Sequence, residues 1–338
     1  MKKGIALLLA GCVFLTTAAF GMTVFAEEEA AEEEEILYEP SDYTYEATEL
    51  SKDKVYGVSV MTMANAFFKK EADTVKEIVE AAGGTALTPD PANDINQQVA
   101  DITEFCARGV DAIIIDPIDS EGIKPALLEA QRAGIPVFII DMEVTDTDLV
   151  NAFIESDNLL LGREAAKTLC EAMGGKGEVG VINFSTIKCV RQRVQGLHEI
   201  IDESYPDIEV VADIDAFGVV EDAQSIMETF LQSYPEMNGV FAINSPTAQG
   251  AVAAIEAAGK AGEISVVDID GAQNDIDMIK AGQILSSPVQ FPAALAAKAV
   301  EYAELCFDGR EDEIVKHVMI QGENITIDNA ADYDGQTY

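Results

Sequence analysis

Histidine is scarce in this sequence and tryptophan is missing altogether. The two histidines, His198 and His317, are far apart, so a histidine-based triad or metal site would need partners that only the fold could bring together. The motifs GxSxG, HExxH and GxxxxGKS/T are absent, as is a GxGxxG that opens a helix after a strand. We therefore predict ordinary surface or core roles for both histidines, no catalytic residues, no enzyme activity, no metal site and no cofactor.

Cysteine is almost as rare, and its spacing excludes two further kinds of site. Cys12, Cys106, Cys170, Cys189 and Cys306 are widely separated and form no CxxC pair, so neither zinc binding nor redox chemistry has support in the sequence. Cys106, Cys170 and Cys306 lie in apolar helical stretches, where a free thiol behaves as a small core hydrophobe. A disulfide between distant cysteines is the remaining alternative.

Basic residues are few: 21 Lys and Arg face 61 Asp and Glu, for a formal net charge of −40. A field of this sign repels phosphate backbones and anionic lipid, so we predict no nucleic-acid partner. The acidity favours neutral or cationic ligands but does not name one. With 338 residues and 48% hydrophobic content, the chain can bury the cores of two lobes.

The N-terminus has the pattern of a secretory signal peptide over residues 1–26. Lys2 and Lys3 precede an apolar run at 5–25, and Val-Phe-Ala at 24–26 supplies small residues for cleavage. Removal of this segment takes away two lysines and no acid, which changes the net charge from −40 to −42. The chain is therefore expected to be exported.

Two alternatives for this segment stay open. Leu-Ala-Gly-Cys at 9–12 resembles a lipobox, in which Cys12 would carry a lipid anchor, although residues 13–26 remain apolar where a polar tether is usual. The apolar run is also about long enough to be an uncleaved membrane anchor. Residues 27–35 then contain seven Glu and two Ala, and we predict an acidic, disordered tether over 27–50.

Repeated alternation of strands and helices begins near residue 55. In the first half we predict strands at 56–61, 112–115 and 137–140 and helices at 67–82 and 125–133. Gly83-Gly84, Gly109 and Gly134 follow the helical stretches, and Pro117 and Pro136 mark strand edges. In the second half we predict strands at 178–183, 209–214, 239–243 and 265–269 and helices at 223–233 and 247–258. These βαβ repeats predict two doubly wound, Rossmann-like parallel sheets.

Polar and aromatic residues stand directly after the predicted strands: Asn65, Phe67, Phe68, Asp141, Arg193, Phe217, Asn244, Asp270 and Gln290. Open parallel sheets bind ligands outside the carboxyl ends of their strands, so two such sheets predict a cleft between lobes. The polar side chains offer paired hydrogen-bonding groups that match vicinal hydroxyls, and Phe rings cover apolar C–H faces of a sugar. Individually, each residue could instead cap a helix, satisfy a loop, form an ion pair or fill the core.

One stretch of the sequence, residues 109–141, connects this pattern to a known family. It runs through Gly109-Val110-Asp111-Ala112-Ile113-Ile114-Ile115, Pro117, Asp119-Ser120, Ala133-Gly134-Ile135-Pro136-Val137 and Asp141. Further matches are Ser156-Asp157-Asn158, Gly162, Arg193 with Gly196, Val240-Phe241-Ala242 with Asn244, Asp268-Ile269-Asp270-Gly271, and Gln290 before Pro292. On these residues the chain resembles the ribose-binding-protein-like group of periplasmic (type I) sugar-binding proteins of ABC transporters, from about residue 55 to 329.

The resemblance implies two lobes joined by three crossings near Ser156, Gln290 and Met319. The first lobe would comprise residues 51–155 and 291–319, the second 156–290 and 320–330, with a tail at 331–338. The implied ligand contacts are Asn65, Phe67, Phe68 and Asp141 from the first lobe, Arg193, Phe217, Asn244 and Asp270 from the second, and Gln290 at the hinge. The implied function is capture of a small sugar or polyol by closure and delivery to a membrane permease, by a chain that we expect to be monomeric.

The chain departs from the ribose binders at two positions. Met142 stands where they have an Arg immediately after the Asp, and Met61 replaces a Ser at the end of the first strand. Two thioethers in place of polar groups remove hydrogen-bonding capacity, which favours a deoxy sugar, another pentose, a polyol or another small molecule over ribose. Both methionines could instead be packing residues. Without tryptophan for stacking, the sequence favours a small ligand.

Three other functions have the same fold or chemistry. A sensory subunit that presents its closed form to a membrane receptor cannot be separated from a transport protein by sequence. A sugar-modifying enzyme would need an acid and a base placed in the cleft. A transcriptional repressor would need a DNA-binding helix pair ahead of residue 55, and this chain has a signal-like segment there instead.

Overall fold

The computed structural model describes residues 36–335 and Tyr338. The predicted signal peptide, the lipobox cysteine and residues 27–35 lie outside the described residues. Within the described part of the chain, no helix combines the length and the apolar character needed to cross a bilayer. The four cysteines in this part, at 106, 170, 189 and 306, are free thiols.

Two parallel sheets organise the chain, and their elements are numbered in chain order. The strands of the first sheet are β1 (Ile36–Glu39), β2 (Val55–Ser59), β3 (Thr85–Leu87), β4 (Ala112–Ile115), β5 (Val137–Ile140), β6 (Ala152–Ser156) and β12 (His317–Ile320). Their spatial order is β1-β12-β6-β5-β4-β2-β3, and every neighbouring pair is parallel. The helices α1 (Ala66–Ala81), α2 (Ile95–Arg108), α3 (Lys124–Ala133) and α9 (Pro292–Phe307) cover this sheet.

The second sheet contains β7 (Lys176–Asn183), β8 (Asp207–Asp215), β9 (Met237–Ala242) and β10 (Ser265–Val267) in the order β10-β9-β7-β8, again all parallel. A two-stranded antiparallel ribbon of β11 (Ser286–Val289) and β13 (Glu323–Thr326) lies beside it. The accompanying helices are α4 (Asn158–Ala172), α5 (Lys188–Ser204), α6 (Val220–Ser233), α7 (Ser245–Ala257), α8 (Gln273–Ala281) and α10 (Ala330–Tyr333).

Alternating burial along the strands explains why helices cover both faces of each sheet. In β4, Ile114 packs into one core with the α1 and α9 side, while Ile113 and Ile115 pack into the other with the α2 and α3 side. A parallel strand buried on both faces has a nearly continuous apolar sequence, which is the signal that predicted it. In the second lobe, α4 and α5 share one core, and α6 and α7 share another. The predicted doubly wound α/β class is confirmed.

Three predicted glycine caps have the conformation that glycine is needed for. Gly83, Gly109 and Gly134 have φ of 87°, 67° and 68°, in the left-handed region that is costly for residues with a Cβ. Gly109 and Gly134 directly follow α2 and α3 as their C-caps. The glycines that follow the predicted helices therefore stand where the backbone needs a positive φ.

The chain passes between the two lobes three times: between β6 and α4, between β11 and α9, and between β12 and β13. At each crossing, only a few residues of the chain separate an element of one lobe from an element of the other. A hydrogen bond from the Asp157 amide to the Ile320 carbonyl, 3.0 Å, joins the first and third crossings.

The predicted disordered tether is wrong for residues 36–50. β1 adds an edge strand beside β12, and a short 3-10 helix runs from Glu49 to Ser51. Tyr43, Tyr45 and Ala47 pack against the core of the first lobe. The prediction failed because local composition shows few apolar residues, whereas the stabilising partners come from α9, 258 and 259 residues away in the sequence.

Candidate functional site

A cleft forms where the carboxyl ends of the strands in both sheets face each other. It contains a cavity of about 380 Å³ whose lining includes Met61, Asp141 and Met142 of the first lobe and Phe184, Lys188 and Cys189 of the second. This is the location expected for a ligand between two open α/β sheets. A cavity of this size is at the small end of the range for small-molecule sites.

The N-terminus of α1 contains three predicted ligand contacts, Asn65, Phe67 and Phe68, and none of them lines this cavity. Asn65 is the N-cap, and its Oδ1 accepts a hydrogen bond from the Phe67 amide at 2.9 Å. The capping role expected as the alternative for Asn65 is therefore real, although its Nδ2 group can still donate to a ligand. Phe67 is buried, and its ring meets that of Phe68 edge to face with centroids 5.5 Å apart. Capping and ligand contact are compatible at this helix end.

Asp141 follows β5 in a backbone conformation that is unusual for a residue with a side chain. Its φ is 58°, its side chain is buried, and its Oδ1 has no hydrogen-bond partner. Burial raises its pKa to about 7, while the nearby Arg193 opposes this shift and Asp270 adds to it. Asp141 therefore combines backbone strain with an unsatisfied acceptor, and both features are concentrated at functional sites.

Met142 and Met61 both line the cavity, at the positions where the resemblance led us to expect polar side chains. Cys189 packs against Met142, with its Sγ 3.7 Å from the methionine Sδ. Burial raises the pKa of the Cys189 thiol to about 12, so the thiol remains protonated. The two methionines and the cysteine give this part of the cavity a polarizable surface with little hydrogen-bonding capacity.

The predicted position of Arg193 directly after a strand is wrong, because the residue lies within α5; it is held there rigidly, with only 4% of its surface exposed. Its Nε donates to Asn158 Oδ1 and its Nη1 to the Ile243 carbonyl, both at 2.8 Å. A close approach of α4 and α5 places it there: a Cβ at Gly162 would lie 2.2 Å from the Arg193 carbonyl oxygen. Nη1 also lies 3.5 Å from Asp270 Oδ1.

Asp270 is the centre of a polar cluster in the second lobe. Its Oδ2 accepts from the Ser245 amide at 3.1 Å, and its Oδ1 accepts from Gln290 Nε2 at 2.8 Å. Burial raises the pKa of Asp270, and Arg193 is the strongest opposing influence. The remaining oxygen of Gln290, Oε1, is buried and has no partner. Gln290 therefore offers a second unsatisfied acceptor in the cleft.

Asn244 and Phe217 occupy the edge of the second lobe. Asn244 caps α7 through a reciprocal pair of bonds with Thr247. Phe217, with φ of 53° and 54% of its surface exposed, meets Phe184 edge to face at 5.5 Å. The Phe184–Phe217 pair forms an exposed aromatic rim. Phe184 was missed by the sequence analysis, although it directly follows β7 and the strand-end rule could have found it.

Backbone strain is a second, independent indication that this cleft is a functional site. Among the described residues, the non-glycine residues with positive φ are Asp53, Ala92, Asn93, Asp141, Phe217 and Asp270. Asp141, Phe217 and Asp270 are three of the predicted ligand contacts. Such conformations cost roughly 1–3 kcal/mol each and persist where surrounding structure enforces them.

Buried carboxyl groups lie behind the cleft in both lobes, and the sequence analysis did not single them out. Glu71 and Asp116 are fully buried in the first lobe, where no donor among the described residues reaches their carboxyl oxygens. Burial, with the neighbouring acids, raises the pKa of both groups well above the usual range. Asp268 and Asp275 form the corresponding pair in the second lobe, and burial raises the pKa of Asp275 to about 7. Each pair can satisfy itself by sharing a proton.

Titratable groups in the cleft region show no arrangement for metal binding. No group of three His, Cys, Asp or Glu side chains among residues 36–335 and Tyr338 is placed to hold a metal ion. His317 instead pairs with Glu155, 2.7 Å away, beside the first crossing. Burial raises the pKa of Glu155, and His317 opposes the shift.

Two lobes joined by three crossings, with strained and incompletely satisfied polar residues converging between them, define a protein that captures a small ligand in a hinged cleft. Comparisons with known proteins agree. Residues 56–311 match the family described as periplasmic binding protein domain. The match covers most of the chain, and the chain belongs to this family.

Individual relatives are sugar import proteins. The chain is 36% identical over 242 residues to the D-apiose import binding protein of Paraburkholderia graminis, covering 71% of this chain and 77% of that protein. It is 28% identical over 313 residues to the ribose import binding protein of Bacillus subtilis, covering 92% of this chain and 95% of the relative. The resemblance predicted from sequence is confirmed.

Solved structures with the same fold carry bound sugars or polyols. One is an ABC transporter solute-binding protein from Bacillus halodurans with bound myo-inositol, with a TM-score of 0.76, 28% identity and coverage of 85% of this chain and 99% of that one. Another, from Actinobacillus succinogenes with bound D-allose, has a TM-score of 0.77, 28% identity and coverage of 83% and 100%. The periplasmic binding protein type I fold is confirmed.

Proposed function

We propose that this protein captures a small sugar or polyol between its two lobes outside the membrane and delivers it to an ABC transporter permease. The observation that carries the proposal is the convergence of Asp141 in the first lobe with Arg193, Asp270 and Gln290 in the second. Arg193 Nη1 lies 3.5 Å from Asp270 Oδ1, and Gln290 Nε2 donates to the same oxygen at 2.8 Å. Across the cleft, the charge of Arg193 lowers the pKa of Asp141 and that of Asp270 raises it, which supports their proximity. A ligand that bonds both sides stabilises the closed form, since only differential affinity shifts the balance of two states.

The chemistry of the ligand follows from the unsatisfied atoms. Asp141 Oδ1 and Gln290 Oε1 are buried acceptors without donors, and a hydroxyl-rich ligand supplies donors to both. Phe68 is only partly buried and provides apolar surface for C–H faces, and the buried ring of Phe67 packs against it. Around Met61 and Met142 the wall offers little hydrogen bonding, which favours a ligand with fewer hydroxyls on that side.

Three further features belong to this proposal. The protein acts by binding and release, without chemical change of the sugar. It is exported and operates at the outer side of the membrane, with release after Ala26 or anchoring at Cys12 as the two routes. A single copy closes on its ligand and then contacts the permease. The family membership and the sugar importers among its relatives support binding without chemical change and export. The two routes rest on the sequence of residues 1–26, and the single copy is the default expectation.

Thermal unfolding with a ligand panel tests the binding step. The chain from residue 27 onward is unfolded with pentoses, hexoses, deoxy sugars, polyols, nucleosides and amino acids. A specific ligand at a hundred times its dissociation constant adds about 2.7 kcal/mol, which raises the midpoint by roughly 4 °C. Asp270→Ala should lose this rise, and Asp202→Ala, an exposed aspartate on α5, should keep it. A rise with an amino acid or nucleoside alone would show that the sugar assignment is wrong.

Uptake of radiolabelled ligand tests delivery. Cells that lack the gene should lose high-affinity uptake of the identified sugar and regain it with the wild-type gene but not with the Asp270→Ala gene. Normal uptake without the protein, together with loss of a transcriptional or motility response to the sugar, would assign the protein to sensing instead.

A further inference from the structure

Tyr338, the last residue of the sequence, lies between the two lobes beside predicted ligand contacts from each of them. Its ring meets that of Phe67 in the first lobe edge to face, with centroids 5.2 Å apart and an interplanar angle of 81°. Its hydroxyl donates a hydrogen bond of 2.8 Å to the backbone carbonyl of Asp270 in the second lobe. One aromatic side chain therefore bridges the two sides of the cleft.

The segment that leads to Tyr338 is fastened to the second lobe at α8. Gln273 Nε2 donates to Asp334 at 2.9 Å, and Gln273 Oε1 accepts from the Gly335 amide at 2.7 Å. Lys280 forms an ion pair with Asp334 at 2.7 Å. The Gln273 amide donates to the carbonyl of Tyr338 itself at 3.2 Å. Tyr338 thus moves with the second lobe while its ring contacts the first.

The contact between Tyr338 and Asp270 uses a backbone carbonyl and does not occupy the Asp270 carboxylate. Tyr338 bonds the carbonyl of Asp270, whereas the Asp270 carboxylate is bonded by Ser245 and Gln290. The 380 Å³ cavity beside Asp141 and Met142 remains open. Burial and the nearby Asp270 raise the pKa of the Tyr338 phenol, which keeps its hydroxyl protonated as a donor. Tyr338 does not line the 380 Å³ cavity; it lies in the neighbouring region, between Phe67 and Asp270.

A second cavity lies beside the ring of Tyr338. It has a volume of about 180 Å³, and its lining includes Lys70, Gln290, Phe291 and Tyr338. Truncation of the tyrosine ring would enlarge this space next to Gln290, one of the predicted ligand contacts. The ring therefore limits the room available beside Gln290.

We propose that Tyr338 is a specificity-determining residue of the ligand site, which closes the Phe67 side of the cleft and restricts it to small sugars or polyols. The inference rests on the proposed function and adds a residue to it. In a chain without tryptophan, a tyrosine brought in from the end of the sequence supplies an apolar face with a polar edge. Because it touches both lobes, it also contributes to the contact surface of the closed form.

Calorimetric titration of the chain from residue 27 onward tests the proposal with Tyr338→Ala, Tyr338→Phe and the control Tyr38→Ala. Tyr38 is an exposed residue of the edge strand β1, outside the cleft. The panel pairs each pentose with hexoses and with disaccharides. For the ligand that wild type binds best, Tyr338→Ala should weaken binding on the order of tenfold or more. Larger sugars should lose less affinity than this ligand, or gain affinity. The dissociation constants of small and large ligands should therefore become more similar.

Two variants keep the test informative if Tyr338→Ala is poorly folded. Tyr338→Phe keeps the ring and should retain most of the selectivity, with a smaller loss from the missing hydroxyl bond. Lys280→Ala loosens the segment from outside the cleft and should shift selectivity in the same direction as Tyr338→Ala, to a smaller extent.

The outcomes separate this inference from the proposed function. If wild type binds a sugar or polyol, Asp270→Ala abolishes binding, and Tyr338→Ala changes no dissociation constant, the inference is wrong while the function stands. If Tyr338→Ala tightens binding of the best ligand, the tyrosine is a competitor for the site, which also overturns its role as a wall. If wild type binds no sugar or polyol, both fail.

Discussion

Asn158 holds Arg193 in place: Arg193 Nε donates to Asn158 Oδ1 at 2.8 Å, with both side chains buried. Asn158 is the first residue of α4, directly after the chain has crossed from the first lobe. Its Nδ2 donates in turn to the Ser156 carbonyl at 3.0 Å. The position of the guanidinium in the second lobe is therefore tied to the backbone at the crossing.

Asn158→Ala should weaken ligand binding even though Asn158 is no predicted ligand contact. Arg193 would lose one of its fixed acceptors and turn away from the geometry in which it meets Asp270. We expect a loss of about 1–3 kcal/mol in stability from the buried group left unpaired, and a rise of roughly tenfold in the ligand dissociation constant. Unfolding and calorimetry measure the two effects. Asn96→Ala, an exposed asparagine on α2, is the control, and an unchanged dissociation constant for Asn158→Ala would contradict the positioning role.

The buried carboxyl groups should make the protein less stable as the pH rises. Their pKa values in the folded chain lie above those of the unfolded chain, so the folded chain binds more protons between the two values. The contributions of Asp141 and Asp275 should therefore be lost between about pH 4 and about pH 7, and those of Glu71, Asp116 and Asp268 as the pH rises through their own raised pKa values. Groups with lowered pKa, such as Glu304, act in the opposite direction only below this range.

Denaturant unfolding at pH 5 and pH 8 measures this dependence. We expect the free energy of unfolding to be lower at pH 8 by at least about 1 kcal/mol. Glu71→Gln removes one titrating group and should flatten the dependence, while Glu77→Gln, an exposed residue on the same helix, should leave it unchanged. Equal stability of the wild-type chain at both pH values would contradict the prediction.

Glu304 should decide whether residues 40–50 stay attached to the first lobe. Its carboxylate accepts hydrogen bonds from Tyr45 Oη at 2.6 Å, from the Thr48 amide at 2.8 Å and from Ser51 Oγ at 2.7 Å. Although burial acts to raise its pKa, these donors outweigh burial and lower it. Glu304→Ala should release the segment and cost about 2–4 kcal/mol.

Limited proteolysis and hydrogen exchange test the role of Glu304. We expect faster exchange across residues 43–51 in Glu304→Ala, with the second lobe unaffected. Glu236→Ala replaces an exposed glutamate of the second lobe and should behave as wild type. If residues 43–51 were as well protected from hydrogen exchange in Glu304→Ala as in wild type, Glu304 would not hold the segment, and the strand pairing of β1 alone would attach it.

The cysteines should react slowly with thiol reagents while the chain is folded. Burial raises the pKa to about 12 for Cys189 and to about 11 for Cys170 and Cys306, so little thiolate forms at pH 8. Labelling at pH 8 should be slow in the native chain and fast after unfolding, with four thiols per chain from residue 27 onward. Ligand should slow the labelling of Cys189 further, because this cysteine lines the cavity. Rapid labelling of Cys189 in the folded, unliganded chain would contradict its burial.

Parallel strands were predictable because burial on both faces leaves a local signature. The run Ala112–Ile115 is apolar at every position and is bounded by turn residues, and the structure has a strand there with the same limits. Gly109 and Gly134 were predictable as helix caps because only glycine adopts positive φ without strain. In these cases the residues that determine the structure are adjacent in sequence.

Segments stabilised by distant partners were not predictable. Residues 36–50 look like the end of an acidic tether, yet Tyr43 and Tyr45 bond to Glu301 and Glu304 on α9. Local composition contains no information about a partner about 250 residues away. The same holds for Tyr338, which sits in a stretch assigned as a tail.

The sequence by itself determined the alternation of strands and helices, the class of fold and the rule that polar residues after strands gather at one edge. That rule points to Asp141 and Asp270, whereas Arg193 lies within α5 and is indicated by the family resemblance; the roles of all three as ligand contacts stay a prediction. Only the tertiary structure decided which atoms of these residues are already bonded and which are left unsatisfied, that Asn158 holds Arg193, and that Tyr338 reaches Phe67. The reason is physical: strand and helix patterns depend on neighbours along the chain, whereas hydrogen-bond partners in a cleft depend on how separate segments converge to within an ångström.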